Sequence, residues 1–240
     1  MKKIFLVVLF LVFSILLYAD IIDLLPPSEG TWLDLYDPDI ENAKKEAEND
    51  EMLATWLYFL GGDEIFYNGS IYLEKNELVL EYLPPGREGF FKNGASIMAY
   101  RINADKIELI LKRWTWEYID EEYEKEEKEI VYYHIVLTEK DGHINYTCTY
   151  TTPALYLNEY TINGAIVVDE NVYAYSAPSF NSERIIELKI GENIKILPTR
   201  LAENGPEEKP YDFWYKAEIN NKAVWVYGYS INFSNRIKVK

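Results

Sequence analysis

The chain has one cysteine in 240 residues, so no internal disulfide can form and its stability must come from packing. Cys148 lies in the alternating run Tyr146-Thr147-Cys148-Thr149-Tyr150 and reads as a small hydrophobe rather than a reactive thiol. Only two histidines occur, His134 inside an apolar run and His143 just after Asp141-Gly142. That spacing does not suit a two-histidine zinc site, so both are assigned structural roles and no metal or cofactor is expected. A papain-like peptidase places its cysteine upstream of its histidine at a helix start, whereas Cys148 follows both histidines within a strand pattern. Neither Gly-x-Ser-x-Gly nor Ser-x-x-Lys is present to suggest serine chemistry. The expectation is a protein that is not an enzyme.

Basic residues are also scarce, 24 against 40 acidic ones. Residues 1–19 read as a secretory signal: Lys2-Lys3, an apolar run from Ile4 to Leu17 broken only by Ser14, then Tyr18-Ala19. The run is shorter than the roughly 20 residues of a membrane span, so a membrane association is expected only if this segment is left uncleaved. Its removal leaves 22 basic and 40 acidic side chains, a net charge of −18. Such a surface repels phosphate backbones, so nucleic acid is excluded as a partner. The expected location is exported, periplasmic or extracellular.

What the sequence has in abundance is β pattern and aromatic rings. Asp37-Pro38-Asp39 and the helix formers behind it predict a short helix over 40–49. Strands are predicted over 53–60, 64–66, 70–73, 77–82, 96–102, 106–116, 130–138, 144–150 and 154–160. Turn formers separate them, among them Asn68-Gly69, Lys75-Asn76, Asn93-Gly94, Asn103-Ala104-Asp105 and Asp141-Gly142. Glu117 to Glu129 holds eight carboxylates and two lysines without a glycine, which suits a solvated hairpin tip or protruding ribbon better than a calcium loop. The fold class is therefore all-β: an antiparallel meander or barrel-like domain over 20–162, with a short helix near its start, then a smaller unit over 163–235. The short join at Asn163-Gly164 predicts two domains in contact. Gly30-Thr31-Trp32 resembles the Gly-x-Trp opening of lipocalins, which would imply a carrier of a small apolar ligand in the N-terminal domain.

The last third carries the more specific pattern. Asn171-Val172-Tyr173, Ala177-Pro178-Ser179, Ile185-Ile186-Glu187-Leu188 and Gly191 are followed by Ile194-Lys195-Ile196-Leu197, Trp214-Tyr215-Lys216-Ala217 and Trp225-Val226-Tyr227-Gly228-Tyr229. Short β-branched runs between turn formers are what a small barrel requires. Gly191 marks a turn where positive φ is cheapest, Pro178 a break between strands, and Asn220-Asn221 the tip of a hairpin. In order and spacing these pieces resemble a bacterial SH3 domain, an SH3-like β-barrel. Tyr173 stands where that family usually has arginine, and Ala177 and Val224 where it has glycine. Residues 198–213 form a longer loop than usual, with three prolines and four carboxylates. The resemblance implies non-catalytic binding of a peptide, a cell-wall fragment or an envelope protein. Tyrosine and tryptophan offer an apolar face with a polar tip. Tyr173, Tyr175, Trp214, Tyr227 and Tyr229 are accordingly the predicted ligand-binding residues, with Trp225 assigned to the core.

Overall fold

Turn chemistry sets much of the architecture. Lys75-Asn76 and Asn220-Asn221 adopt positive φ at both positions (48° and 66°, 51° and 60°), as does Asp141-Gly142 (55° and 76°). These are mirror-image two-residue turns whose twist matches that of the strands they join. Each closes a hairpin, predicted as such at Asn220-Asn221 and as a turn at the other two sites.

A computed structural model describes residues 21–25, 33–36, 67–81, 94–118, 126–152, 157–199, 202–203 and 212–239. The predicted signal, the Gly-x-Trp motif, the helix over 40–49 and the strands over 53–60 and 64–66 lie outside these residues. The strands are β1 (Leu33–Tyr36), β2 (Tyr67–Glu74), β3 (Glu77–Glu81), β4 (Gly94–Ile102), β5 (Lys106–Tyr118), β6 (Glu126–Lys140), β7 (His143–Tyr150), β8 (Thr161–Ile162) and β9 (Ala165–Val167). They continue as β10 (Val172–Tyr175), β11 (Arg184–Leu188), β12 (Asn193–Ile196), β13 (Ala202–Glu203), β14 (Phe213–Ile219), β15 (Lys222–Tyr227), β16 (Ile231–Phe233) and β17 (Arg236–Lys238). The class is all-β, and helical structure among the described residues is confined to single 3-10 turns.

Three sheets result. One runs β1-β2-β3-β17 and a second runs β7-β6-β5-β4-β8; the third runs β11-β10-β15-β14-β12-β9-β16 with β13 beside β14. All recorded pairings are antiparallel. The described ends of the acidic stretch, 117–118 and 126–129, continue the β5–β6 ladder, with Glu117 opposite Glu127 and Tyr118 opposite Glu126; its middle lies outside the described residues.

Two departures from the sequence reading have clear causes. Residues 157–159 form a 3-10 turn, not the end of a strand over 154–160. Such a turn eclipses positions i and i+3, which lets Leu157 and Tyr160 both bury against one core; a strand would send them to opposite faces. Trp225 is half-buried outside the core, because Val224 and Val226 on either side of it take the inward positions of β15.

The boundary at 162/163 is not a gap in packing. A single buried cluster joins Met98, Ile110, Tyr132 and Leu157 to Val172, Leu188, Phe213, Tyr215, Val226 and Phe233. Backbone bonds cross as well: Ile97 N–H donates to the Ser234 carbonyl at 3.0 Å and Leu80 N–H to that of Asn235 at 2.9 Å. The chain end then returns as β17 to pair with β3. A second cluster, built on Ile71, Leu78, Ile97, Leu109, Ile135 and Leu137, fills the space between the first two sheets.

Candidate functional site

Strand alternation sorts the C-terminal sheet into two faces. Val172 and Ala174 of β10, Val224 and Val226 of β15, and Phe213, Tyr215 and Ala217 of β14 point into the shared core. The intervening residues point the other way and form a separate aromatic cluster: Tyr175, Trp214 and Tyr227, with Tyr173, Trp225 and Tyr229 packed around them. Register explains the grouping, since Tyr175 pairs with Trp225 and Trp214 with Tyr227. All five predicted ligand-binding residues therefore meet on one face. They are not equally accessible. Trp214, Tyr175 and Tyr227 are buried, while Tyr173 and Tyr229 are half-buried.

Sequence reasoning missed Phe180, which covers the buried members. Its ring lies 4.8 Å from Trp214, 4.9 Å from Tyr227 and 5.8 Å from Tyr175, centroid to centroid, in edge-to-face contacts. It nonetheless stays 41 % exposed. The β10–β11 loop holds it there through Ser182, whose hydroxyl donates to the carbonyls of Ser179 (2.8 Å) and Ala177 (2.9 Å) and accepts from Ala177 N–H (3.3 Å). Cations flank the cluster. Arg184 sits 4.5 Å over Tyr173, Lys128 4.5 Å over Tyr229, and Lys216 5.9 Å from Trp225. The arrangement presents Phe180 and the edges of Tyr173, Trp225 and Tyr229 as a surface on which an apolar or planar group can stack.

Behind this face lies a polar group that the sequence did not reveal. Lys112 of β5 and Asp212, just before β14, are both fully buried, with Lys112 Nζ 2.9 Å from Asp212 Oδ2. Lys112 also donates to the carbonyls of Gly228 (2.5 Å) and Ile231 (2.9 Å). Asp212 Oδ1 accepts from the Tyr132 hydroxyl at 2.5 Å and from Phe213 N–H at 2.7 Å. The Tyr132 hydroxyl lies 2.8 Å from that of Tyr215, which in turn reaches the Met98 sulfur at 3.3 Å. Burial pushes the Lys112 ammonium below its ordinary range, with Asp212 pulling the other way. Burial, reinforced by Asp212, raises both tyrosines well above 10.0. Gly228 is required here: a Cβ would meet the Tyr215 ring at 2.5 Å and Asp212 Oδ2 at 2.7 Å.

A second ribbon lysine reinforces the same turn. Lys128 of β6 is 4 % exposed and donates to the Tyr229 carbonyl at 2.8 Å. Two lysines of the β5–β6 hairpin thus hold three carbonyls of the segment that carries Tyr229.

The histidines and the cysteine lie elsewhere. Glu108, almost buried, takes Arg101 Nε at 2.6 Å and Lys106 at 3.2 Å, with His134 Nε2 at 3.6 Å and the Tyr160 hydroxyl 3.3 Å from that same nitrogen. Burial raises the Glu108 carboxyl, but the Arg101 and Lys106 hydrogen bonds outweigh it and hold the group below its usual range. Burial lowers His134 against the pull of Glu108. His143 is exposed beside its turn and Cys148 is half-buried in β7. Among the described residues, no three His, Cys, Asp or Glu side chains are grouped to hold a metal ion, and no helix is long and apolar enough to cross a membrane.

No protein-family model matches the chain, and neither a curated protein nor a solved structure matches it.

Proposed function

We propose that the chain is an exported, non-catalytic binding protein whose C-terminal SH3-like unit takes a peptide, cell-wall fragment or envelope protein on the outer aromatic face of its sheet. The observation that carries this reading is the segregation of aromatic residues. Six tyrosine and tryptophan side chains, capped by a partly exposed phenylalanine, gather on the face turned away from the core. The inner face is filled separately, by Val172, Ala174, Ala217, Val224 and Val226 with the inward rings of Phe213 and Tyr215. Aromatic residues are enriched at recognition surfaces, where they supply large contact area at low entropic cost.

The test uses the full chain, incubated with purified peptidoglycan and with solubilised envelope extract, beside the variants Phe180→Ser and Tyr173→Ala. Retention of the wild type, with at least a tenfold loss in both variants and a cooperative thermal transition kept in each, supports the assignment. Retention undiminished in both variants moves the site off this face; absence of retention on every material defeats the reading.

A further inference from the structure

We propose that Lys112 and Asp212 become joined by an intramolecular amide between Nζ and Cγ, a covalent staple between the N-terminal sheet and the C-terminal unit. Both side chains are fully buried, with Nζ 2.9 Å from Oδ2, so the nucleophile and the acyl carbon are held together in a water-excluded site. The two carboxylate oxygens are not equivalent. Oδ1 receives two donors, the Tyr132 hydroxyl at 2.5 Å and the Phe213 N–H at 2.7 Å, while Oδ2 faces Lys112. That asymmetry defines the acyl oxygen that stays and the oxygen that leaves.

The step balances without a co-reactant. A proton passes from the Lys112 ammonium to Oδ2, giving an amine and a carboxylic acid; burial disfavours the charged form of Lys112. The Nζ lone pair then adds to Cγ, and the carbonyl π electrons move onto Oδ1, where the Tyr132 hydroxyl and Phe213 N–H stabilise the charge as an oxyanion hole does. The Cγ–Oδ2 bond breaks, Oδ2 leaves as water carrying its proton and a second one from Nζ, and the Oδ1 electrons restore the carbonyl. Ammonium plus carboxylate become amide plus water. Oδ1 keeps both its donors in the product. The single remaining Nζ–H serves either the Gly228 or the Ile231 carbonyl, so one of them gives up a donor; against this, two buried charges are eliminated.

Mass spectrometry of the full chain decides the matter. One water lost lowers the intact denatured mass by about 18 Da, a covalent change that no ion pair produces. Tryptic digestion is expected to give a branched species in which peptide 107–113 is joined to peptide 201–216, since acylated Lys112 resists cleavage. Lys112→Arg is expected to abolish both signals, and Tyr132→Phe to leave a mixture of linked and unlinked chains after expression. A wild-type chain at its unmodified mass, yielding only linear peptides spanning Lys112 and Asp212, overturns the proposal whether or not either variant folds.

Discussion

Lys128 offers a direct measurement of how firmly the ribbon is seated on the C-terminal unit. In an unfolded chain its ammonium titrates near 10.5; in the fold, burial is the main cause that brings it down to about 8, with the nearby Lys112 adding to the effect and Asp169 and Asp212 opposing it. Between those values the unfolded state binds the proton and the folded state does not, so the free energy of unfolding rises with pH. The penalty of burying the charge is fully present below pH 8, where both states are protonated, and is relieved as pH climbs toward 10.5. At about 1.4 kcal/mol per pH unit, the relief from pH 7 to pH 10 comes to about 2.5 kcal/mol. Urea unfolding of wild type and Lys128→Met at several pH values isolates this contribution, because alkaline effects on the other groups are common to both. The wild-type stability, minus that of the variant, is expected to climb by about 2.5 kcal/mol over that range. Parallel profiles would refute the reasoning, since they would mean that Lys128 reaches water in the folded protein and does not hold the Tyr229 carbonyl.

Three further outcomes follow from the same geometry. Gly228→Ala drives a methyl group into the Tyr215 ring and Asp212 Oδ2 and is expected to cost about 3 kcal/mol in urea unfolding, at the upper end of overpacking effects. Asn221→Val forces a β-branched residue to φ near 60° and should destabilise by about 1–2 kcal/mol, whereas Asn221→Gly should be close to neutral. Ser182→Ala removes the hydroxyl that ties Ala177 to Ser179; about 1–2 kcal/mol of stability and a reduced near-ultraviolet dichroism are expected as Phe180 leaves the Trp214 ring.

What could be read from the sequence was local. The mirror-image turns at Asp141-Gly142 and Asn220-Asn221, and the positive φ of Asn76 and Gly191, follow from residue types that tolerate left-handed backbone; Lys75, at φ 48°, does not belong to them. The aromatic face was legible in part: Trp214 and Tyr227, paired across β14 and β15, lie on the face opposite Tyr215 and Val226, yet Trp225, two residues before Tyr227 and so on the same face, reads as core from the sequence. Phe180 was not legible, since a loop has no period from which to infer where a ring will land. The buried Lys112–Asp212 pair escaped because its partners are separated by 100 positions. A signal did exist. Parity in Glu108-Leu109-Ile110-Leu111-Lys112 places Lys112 on the face of Ile110, which is core, so a charge beside it needs a buried partner; Lys106 and Glu108 on the same face give it the pattern of a solvated side and mask that signal.

The inner network and the outer aromatic face are two sides of one strand. Phe213 donates its N–H to Asp212 and turns its ring inward, Trp214 projects outward beneath Phe180, and Tyr215 turns back to meet Tyr132. With the residues on both sides of it fixed from within, Trp214 has little freedom to pivot, and Tyr227 and Tyr229 are held in turn through the carbonyls of residues 228–231. The groups doing the fixing, Met98, Lys112, Lys128 and Tyr132, all belong to the N-terminal sheet. Residues 163–235 expressed alone would therefore keep every ring of the aromatic face and lose what orients it. Loss of ligand retention by such a fragment would not distinguish a misplaced site from a misfolded one, so point substitutions in the full chain are the informative probes.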